Sequence, residues 1–246
     1  MALTMDPIAW AEETGKIVGS GEERKYYRFR PAYYYGGIAT ADCVGCCLRC
    51  LFCWSWKIVV QPEKVGRFYS PEEVVQNLTS IARKKGFYHV RISGNEPTLH
   101  RSHLLKILNL IPQEFQFILE TNGILIGHDP SYAKDLSRFP HLYVRVSLKG
   151  ACPEDFTRLT QTKPEGLDYQ LKALEHLVEE GVDCFPAVMT NFSSQEEITK
   201  LRQRLKEIRS DFEDFEKEEL ILYPFVEENL KRARIPVPKE LMVNSQ

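Results

Sequence analysis

The sequence lacks both a long apolar run and a marked net charge. Residues 104–111 form an apolar stretch that Lys106 and Asn109 interrupt, and it falls far short of the roughly 20 residues that a membrane-spanning helix needs. The 32 Lys and Arg residues nearly balance the 34 Asp and Glu residues, so the formal net charge of -2 provides no general attraction for DNA or another polyanion. These absences predict a protein without a membrane partner.

Residues 1–16 also lack the basic and apolar segments of a signal peptide and contain acidic residues instead. With 43% hydrophobic and 27% charged residues, the 246-residue chain has the composition of a folded domain and not of a disordered segment. No internal repeat or low-complexity segment is visible. We therefore expect a soluble, cytoplasmic protein.

Five of the seven cysteines lie within eleven positions, from Cys43 to Cys53. A disulfide framework spaces its cysteines along a small secreted chain, whereas clustered thiols in a cytosolic protein of this length usually bind a metal. We therefore expect a metal site in this segment. Cys152 and Cys184 stand apart and are expected to be buried thiols.

Short runs rich in Ile, Val, Phe and Tyr alternate with amphipathic segments from about residue 36 onward, which predicts an α/β fold of parallel strands joined by helices. The capping box formed by Ser70 and Glu73 predicts a helix that ends at Gly86. Six units do not complete an eight-stranded barrel, so we expect a partial (βα)6 barrel, although an open doubly wound sheet fits the pattern nearly as well. The predicted strands are residues 37–41, 88–93, 117–120, 142–148, 184–190 and 220–223.

Polar and glycine-rich segments follow the first five predicted strands. In either fold, ligands bind at the carboxyl ends of parallel strands, because the loops gather there. We therefore expect these segments to form one site. They are the cysteine segment, Gly-Asn-Glu-Pro at 94–97, Glu-Thr-Asn-Gly at 120–123, Ser-Leu-Lys-Gly at 147–150 and Met-Thr-Asn at 189–191.

Cys46, Cys50 and Cys53 are separated by three and then two residues, and the aromatic Phe52 precedes the last cysteine. Three thiolates on one loop hold three corners of a cubane iron-sulfur cluster and leave the fourth iron open to a small molecule. This spacing resembles the signature of the radical S-adenosylmethionine (radical SAM) superfamily, and the resemblance extends over residues 36–226. It implies that these cysteines ligate a [4Fe-4S] cluster whose open iron is chelated by S-adenosylmethionine (SAM). Reductive cleavage of SAM would then give a 5'-deoxyadenosyl radical that abstracts hydrogen from a substrate.

The resemblance also implies a set of SAM contacts at the strand ends. Residues 94–97 look like the family's Gly-Gly-Glu-Pro segment, which contacts the methionine amino group, with Asn95 in place of the second glycine. Residues 120–123 look like the acidic-Thr-Asn-Gly segment of the glycyl-radical activating enzymes. The implied contacts are Gly94, Asn95, Glu96 and Pro97 at the amino group, Glu120, Thr121 and Asn122 after the third strand, Ser147 and Lys149 at the carboxylate and ribose, and Phe52, Trp54 and Met189 near the adenine.

Two other interpretations of the cysteine segment stay open. Cys43, Cys47 and Cys50 have the same spacing, although no aromatic residue then precedes the last cysteine. Cys43, Cys46, Cys50 and Cys53 together match a four-thiolate zinc site, and the protein would then be a zinc-stabilised binding module without catalysis. A zinc loop does not account for the Gly-Asn-Glu-Pro and Glu-Thr-Asn-Gly segments at two further strand ends.

The activating-enzyme branch, in which the radical SAM enzyme acts on a partner protein, is the resemblance that we favour for the function. Ser147 stands where these activators carry an aspartate and Val226 where a histidine is expected, so the hydrogen donor is not identified. An alternative is a nucleoside- or tRNA-modifying enzyme, because Trp54 directly after Cys53 resembles the wyosine-forming tRNA enzymes. In either case an electron donor such as ferredoxin or flavodoxin is expected as a partner.

The expected domains are an N-terminal extension, residues 1–35, that serves as a lid or sheet edge, a radical SAM core, residues 36–226, and a C-terminal tail, residues 227–246. The extension mixes cations and aromatic rings between Arg24 and Tyr35, a composition that suits single-stranded RNA. We favour the alternative in which its tyrosines pack under the sheet, because large aromatic side chains are usually buried. His100 and His103 are expected to face solvent at the start of a helix.

Overall fold

The computed structural model describes residues 4–237 of the chain. The strands are β1 (Gly19–Ser20), β2 (Glu23–Ala32), β3 (Ile38–Cys43), β4 (Arg67–Tyr69), β5 (His89–Ser93), β6 (Gln116–Thr121), β7 (Leu142–Leu148), β8 (Cys184–Val188) and β9 (Glu216–Lys217). The helices are α1 (Pro7–Val18), α2 (Trp56–Val59), α3 (Pro71–Lys85), α4 (Arg101–Leu110), α5 (Ile124–His128), α6 (Pro130–Leu136), α7 (Pro153–Thr160), α8 (Glu165–Glu179), α9 (Gln195–Ile208) and α10 (Pro224–Arg232).

These strands form one sheet in the order β1-β2-β3-β5-β6-β7-β8-β9, and β4 pairs with β2. The strands from β3 to β9 along this order run parallel, whereas β2 runs antiparallel to β3. The register aligns Asp42 with Ser93, and Leu148 with Val188, so the carboxyl ends of the strands meet at one edge of the sheet. The predicted α/β fold with a mostly parallel, open sheet is confirmed.

The predicted strand at residues 220–223 is wrong. The strand that pairs with β8 is the two-residue β9, and the chain already turns before α10, where the amide of Tyr223 donates to the carbonyl of Ile221 (3.0 Å). Leu220 is buried, but Ile221 and Tyr223 are both 41% exposed, so this apolar run does not fill the interior of a sheet. The other five predicted strands lie within two residues of the observed ones.

Local chemistry fixes the ends of two long helices. The Ser70 hydroxyl accepts a hydrogen bond from the amide of Glu73 (3.2 Å), and the Glu73 carboxylate accepts one from the amide of Ser70 (2.8 Å), which is the predicted capping box of α3. Gly86 ends this helix in the left-handed conformation, with φ of 69°. Ser194 and Glu197 form the same reciprocal cap at α9.

None of the helices within residues 4–237 is long and apolar enough to cross a membrane.

The N-terminal segment contributes α1 and one edge of the sheet. β2 pairs with β3 from Tyr26 to Ala32, so part of the expected extension is built into the sheet. The domain boundaries after residues 35 and 226 stay predictions. α10 runs across the second boundary, and residues 238–246 of the expected tail lie outside the described residues.

Side chains alternate along each strand and give the sheet two different faces. On the helix-covered face, Val90, Ile92, Phe117 and Leu119 are buried in the same apolar core as Leu78 of α3. The opposite face, which we call the inner face, is mostly polar. Its polar side chains include Arg28, Arg30, Thr40, Asp42, Arg91, Ser93, Glu120, Arg145 and Ser147.

Candidate active site

The cysteine loop, residues 44–55, follows the carboxyl end of β3. Gly45 has φ of +92°, and a Cβ atom there would lie 2.8 Å from Cγ1 of Val18, so glycine is required. The amide of Arg49 donates to the carbonyl of Thr160 at the end of α7 (3.1 Å). Contacts within the protein therefore fix the course of the loop.

The three predicted ligands are free thiols that are shielded from water to different degrees. Cys50 is 8% exposed, and Cys46 and Cys53 are partly buried. Burial raises the pKa of the Cys50 and Cys53 thiols. A side-chain hydrogen bond with Cys47 lowers the pKa of Cys46, so Cys46 is the thiol of the pair that ionises first.

The sulfur atoms of the cysteine loop are not gathered into a tetrahedral set. Thiolates that bind one tetrahedral zinc ion at about 2.3 Å lie roughly 4 Å apart. Within residues 4–237, the only three His, Cys, Asp or Glu ligand atoms that all lie within 4.8 Å of one another belong to Cys152, Asp155 and Glu197. No three thiols of the cysteine loop therefore form a ready-made tetrahedral zinc set, whereas three thiols on one loop are the donor chemistry that a [4Fe-4S] cluster with one open iron takes. Cys43, which both alternative ligand sets need, is fully buried in β3.

The loop after β5 contacts the cysteine loop closely. Gly94 has φ of +90°, and a Cβ atom there would lie 3.0 Å from Cα of Asp42, so no larger residue fits. Oδ1 of Asn95 accepts a hydrogen bond from the amide of Gly45 (2.9 Å), and its Nδ2 donates to Oγ of Ser55 (2.8 Å). Asn95 thus binds both ends of the cysteine loop, which the glycine at this position of the family segment cannot do.

Ser55 extends this contact to a predicted metal ligand. Its hydroxyl is buried, donates to the carbonyl of Gly94 (3.1 Å) and lies 3.3 Å from Sγ of Cys53. Since Ser55 Oγ already accepts from Asn95, its single proton serves the Gly94 carbonyl or the sulfur. When Cys53 is a thiolate, its sulfur competes for this proton.

Glu96 is a buried carboxylate that joins two strand-end loops. Its Oε1 accepts hydrogen bonds from the hydroxyls of Thr98 (2.7 Å) and Thr121 (2.6 Å), and its Oε2 accepts one from the amide of Asn122 (2.8 Å). The side chain is therefore satisfied by protein donors and holds the loops after β5 and β6 together. A direct contact of Glu96 with SAM stays a prediction.

Arg24 supports the same loop from β2, a role that the sequence does not reveal. Its guanidinium is fully buried and donates to the carbonyls of Glu96 (2.5 Å), Pro97 (2.7 Å) and Val44 (3.3 Å). No local pattern distinguishes Arg24 from the two later arginines of the same strand. The loop after β5 thus depends on a residue from the N-terminal segment.

The residues after β6 divide between the inner face and the cysteine loop. Glu120 accepts hydrogen bonds from Nη1 of Arg91 (2.6 Å) and from Oγ of Ser93 (2.7 Å) on the inner face. Nδ2 of Asn122 donates to Sγ of Cys46 (3.6 Å), so this amide lies directly beside a predicted metal ligand. The structure therefore brings the segments after β3, β5 and β6 together, as predicted.

Ser147 and Lys149, at the end of β7, meet a residue that the sequence reasoning missed. Nζ of Lys149 lies 3.1 Å from Glu218, and the Ser147 hydroxyl also donates to this carboxylate. Burial raises the pKa of Glu218, but Lys149 and Arg145 outweigh this effect and hold its pKa below the usual range. Glu218 follows β9, the strand that was not predicted, so its place at the site was not visible.

The three residues expected near the adenine lie in different surroundings. Phe52 is buried and stacks on Phe192, with ring centroids 5.8 Å apart. Trp54 is 40% exposed, whereas Met189 is 3% exposed in the core. An adenine contact stays a prediction for all three, and Trp54 offers the most accessible ring.

Two expectations about the N-terminal half are wrong. His103 does not face solvent; it is buried, with Nδ1 2.7 Å from the carbonyl of Glu22 and Nε2 3.0 Å from the hydroxyl of Tyr26. Tyr26 is buried as expected, but Tyr33 is 81% exposed and Tyr34 is 58% exposed, so the tyrosines do not pack together under the sheet. A histidine with polar partners on both ring nitrogens is satisfied in the interior, which helical position alone does not predict.

A model of the radical SAM superfamily matches residues 42–205, which include all three loops that Asn95 and Glu96 join, the cysteine loop among them. The chain belongs to the radical SAM superfamily. It is an enzyme with radical chemistry, and its cofactors are a [4Fe-4S] cluster and SAM. This excludes the non-catalytic zinc module. The match is to the superfamily as a whole and does not specifically support the activating-enzyme branch.

The chain is similar in sequence to curated proteins that are named GTP 3',8-cyclases. A probable GTP 3',8-cyclase of Methanosarcina acetivorans is 30% identical over 138 residues, which are 56% of this chain and 40% of the relative. A GTP 3',8-cyclase of Clostridium perfringens is 30% identical over 141 residues, which are 56% of this chain and 41% of the relative. The chain thus spans less than half the length of these relatives.

Solved structures of other proteins share the fold. SuiB of Streptococcus suis bound to its precursor peptide SuiA has a TM-score of 0.57 and 18% identity, over 82% of this chain and 47% of SuiB. The protein anSMEcpe with bound AdoMet and the Cp18Cys peptide has a TM-score of 0.50 and 20% identity, over 75% of this chain and 50% of anSMEcpe. These similarities confirm the fold.

Proposed function

We propose that this chain binds a [4Fe-4S] cluster through Cys46, Cys50 and Cys53, cleaves SAM reductively and removes a hydrogen atom from a nucleotide. The observation that carries the proposal is the joining of three strand-end loops by two side chains. Asn95 connects the loop after β5 to the cysteine loop, and Glu96 connects it to the loop after β6. When bound, the cluster and SAM supply a 5'-deoxyadenosyl radical.

The protein's own residues are proposed to orient the cofactor. Ser147 and Lys149 are proposed to contact the SAM carboxylate and ribose, and Glu218 holds both side chains in position. Nζ of Lys149 also lies 6.0 Å from the ring centroid of Phe52, the residue between Leu51 and Cys53, which supports a role for this ammonium group beside the cluster ligands. The further proposed SAM contacts are Phe52, Trp54, Gly94, Asn95, Glu96, Pro97, Glu120, Thr121, Asn122 and Met189.

A nucleotide substrate is supported by the relatives and by the polar inner face. The curated relatives are named GTP 3',8-cyclases. Charged pairs such as Arg91 with Glu120 suit a small polar substrate better than an apolar one. The activating-enzyme interpretation has less support, because Val226, at the position of the expected histidine, is fully buried in α10.

A peptide or partner protein is the second candidate substrate. It is favoured by the solved structures with SuiA and Cp18Cys peptides bound to proteins of the same fold. An electron donor such as ferredoxin or flavodoxin and a cytoplasmic location belong to both versions of the proposal.

The chemistry is tested with protein purified without oxygen. We expect iron and acid-labile sulfide in the protein, and 5'-deoxyadenosine and methionine after addition of SAM and dithionite. Replacing Cys50 by alanine removes a cluster ligand and is expected to abolish the product. The matched control is Cys152→Ser, which changes a cysteine outside the loop and keeps a capping oxygen for α7. One equivalent of zinc and no 5'-deoxyadenosine would contradict the proposal.

The substrate is tested by isotope transfer. GTP deuterated on its ribose is expected to pass deuterium to 5'-deoxyadenosine, because the hydrogen atom is removed from the substrate. If deuterium is not transferred and a co-purifying protein stimulates SAM cleavage instead, the peptide candidate replaces the nucleotide.

A further inference from the structure

Two arginines on the inner face share one aspartate. Nε of Arg28 lies 2.7 Å and Nε of Arg30 lies 2.8 Å from Oδ2 of Asp42. The Asp42 side chain is fully buried, whereas the side chain of Arg28 is 44% exposed and that of Arg30 is 25% exposed. One guanidinium group neutralises the carboxylate, so the second leaves an unmatched positive charge near the cysteine loop.

The other charged groups described on the inner face are balanced. Each of three cations has a carboxylate partner within 3.1 Å, namely Arg91 with Glu120, Arg145 with Glu216, and Lys149 with Glu218. The excess of positive charge on this face is therefore located at Arg28 and Arg30. A charged ligand that enters the site meets a net attraction there and not along the balanced pairs.

Hydrogen-bond donors also remain at this position. A guanidinium group has five N–H bonds, and within the described part of the chain Arg28 uses only Nε. The ring of Tyr27 lies 5.5 Å from Cζ of Arg28, and its buried hydroxyl has no hydrogen-bond partner within residues 4–237. A buried hydroxyl without a partner is unfavourable, so an accepting group from a ligand would stabilise it.

The pair lies beside the proposed site of SAM cleavage. Cζ of Arg28 is 5.9 Å from the ring of Trp54, the residue that follows Cys53. Asp42 also packs against the loop after β5, because a Cβ atom at Gly94 would lie only 3.0 Å from Cα of Asp42. A group bound at the arginine pair would thus lie at the rim of the catalytic site and not on a remote surface.

We propose that Arg28 and Arg30 bind a phosphate group of the substrate and orient the substrate beside Trp54. The assignment rests on the proposed function, because it identifies the anionic part of the nucleotide that enters this site. Arginine forms forked hydrogen bonds to phosphate oxygens, and two adjacent arginines with one shared carboxylate retain the charge that such a group requires. Arg28 and Arg30 are therefore specificity-determining residues, and the phosphate distinguishes substrates from free nucleosides.

The test compares binding of GTP and guanosine to the cluster-loaded protein in the presence of SAM, by equilibrium dialysis without reductant. We expect GTP to bind at least tenfold more tightly than guanosine. Arg28→Gln and Arg30→Gln are each expected to weaken GTP binding about tenfold and to leave guanosine binding unchanged, because a charge-assisted hydrogen bond is lost. The matched control is Arg83→Gln, which removes an arginine from an exposed pair with Glu114.

Two further variants keep the test informative if loss of charge beside Asp42 prevents folding. Arg28→Lys and Arg30→Lys retain an ion pair with the aspartate but lose the forked donors, and we expect weaker GTP binding with unchanged thermal stability. Equal binding of GTP by all variants, or equal binding of GTP and guanosine, would overturn the proposal, as would tight binding only of single-stranded RNA. Formation of 5'-deoxyadenosine without substrate is measured in parallel. If it persists in the wild type while GTP does not bind, only the phosphate site fails; if it is absent, the proposed function fails.

Discussion

The side chains on the two faces of the sheet make different kinds of contact. On the helix-covered face, Val90, Phe117 and Leu119 are completely buried among apolar neighbours. On the inner face, Arg91 and Glu120 belong to the same strands but meet charged and hydroxyl groups. Successive residues of a strand point to opposite faces, so apolar residues that stabilise the core alternate along the strand with polar residues that line the site. Substitutions at adjacent residues are therefore expected to have separate effects.

The largest effect on stability is expected on the helix-covered face. Phe117→Ala removes a fully buried ring and should lower the free energy of unfolding by about 3–5 kcal/mol, because a cavity replaces its contacts. Urea unfolding measures this change, and 5'-deoxyadenosine formation per folded molecule should be unchanged. The control is Gln116→Ala at the adjacent, partly exposed position, where we expect a loss of less than about 1 kcal/mol. Similar losses at both positions would contradict the comparison.

A pH dependence is expected from the buried histidine near β2. Burial lowers the pKa of His103 to about 4, whereas the unfolded chain has a pKa of about 6.5 at this residue. As the pH falls from 6.5 to 4, the unfolded state binds a proton that the folded state does not, so the free energy of unfolding decreases by up to about 3 kcal/mol. Above pH 6.5 the imidazole is neutral in both states, and the free energy of unfolding no longer depends on its titration.

This dependence is measured as the difference in unfolding free energy between the wild type and His103→Gln from pH 7.5 to 4.5. The difference should shrink or change sign at the acidic end, because the variant has no imidazole to titrate. Parallel curves over this range would show that His103 is not responsible.

An intermediate effect is expected from the inner face. Glu218→Gln removes the carboxylate that Lys149 and Arg145 share and should lower the free energy of unfolding by about 2 kcal/mol, because two mostly buried cations lose a partner. It should also weaken SAM binding, since Ser147 and Lys149 lose their common support. Glu213→Gln, in an exposed pair with Lys206, is the control and should cost less than about 1 kcal/mol. Equal effects would remove the distinction between the site and the surface.

The smallest effect is expected at Ser55, which changes the electronic surroundings of the site more than its stability. Hydrogen bonds to cluster sulfur atoms raise the reduction potential. Loss of one bond of about 1 kcal/mol in Ser55→Ala should shift the one-electron potential by about 40 mV to more negative values. An EPR-monitored redox titration measures the shift, and Ser137→Ala, in an exposed turn, is the control. An unchanged potential would show that the Ser55 proton stays on the Gly94 carbonyl.

Much of the fold follows from local signals in the sequence. β7 is predicted with its observed bounds, because apolar residues alternate from Leu142 to Leu148 and a glycine turn follows. The cap at Ser70 is equally local, since it involves residues three positions apart. β9 was missed because two residues carry no period, and only pairing with β8 makes them a strand.

The candidate site was predicted where spacing along the chain carries the chemistry. Cys46, Cys50 and Cys53 are recognised within eight residues. Arg24 and Glu218 were not predicted, because Arg24 acts on Pro97 across 73 positions and Glu218 on Ser147 across 71. No local pattern specifies such distant partners, so the supports of a site are harder to predict than its reactive groups.

The reach of Arg24 has a practical consequence for anyone who shortens this chain. The segment related to other radical SAM proteins begins at residue 42, yet the donor for the Glu96 and Pro97 carbonyls comes from eighteen residues earlier. A truncated version starting at residue 36 would contain every motif of the family and would still leave the carbonyls of Val44, Glu96 and Pro97 without their buried donor. The segment that is related to the family is therefore shorter than the segment that the site needs for its support.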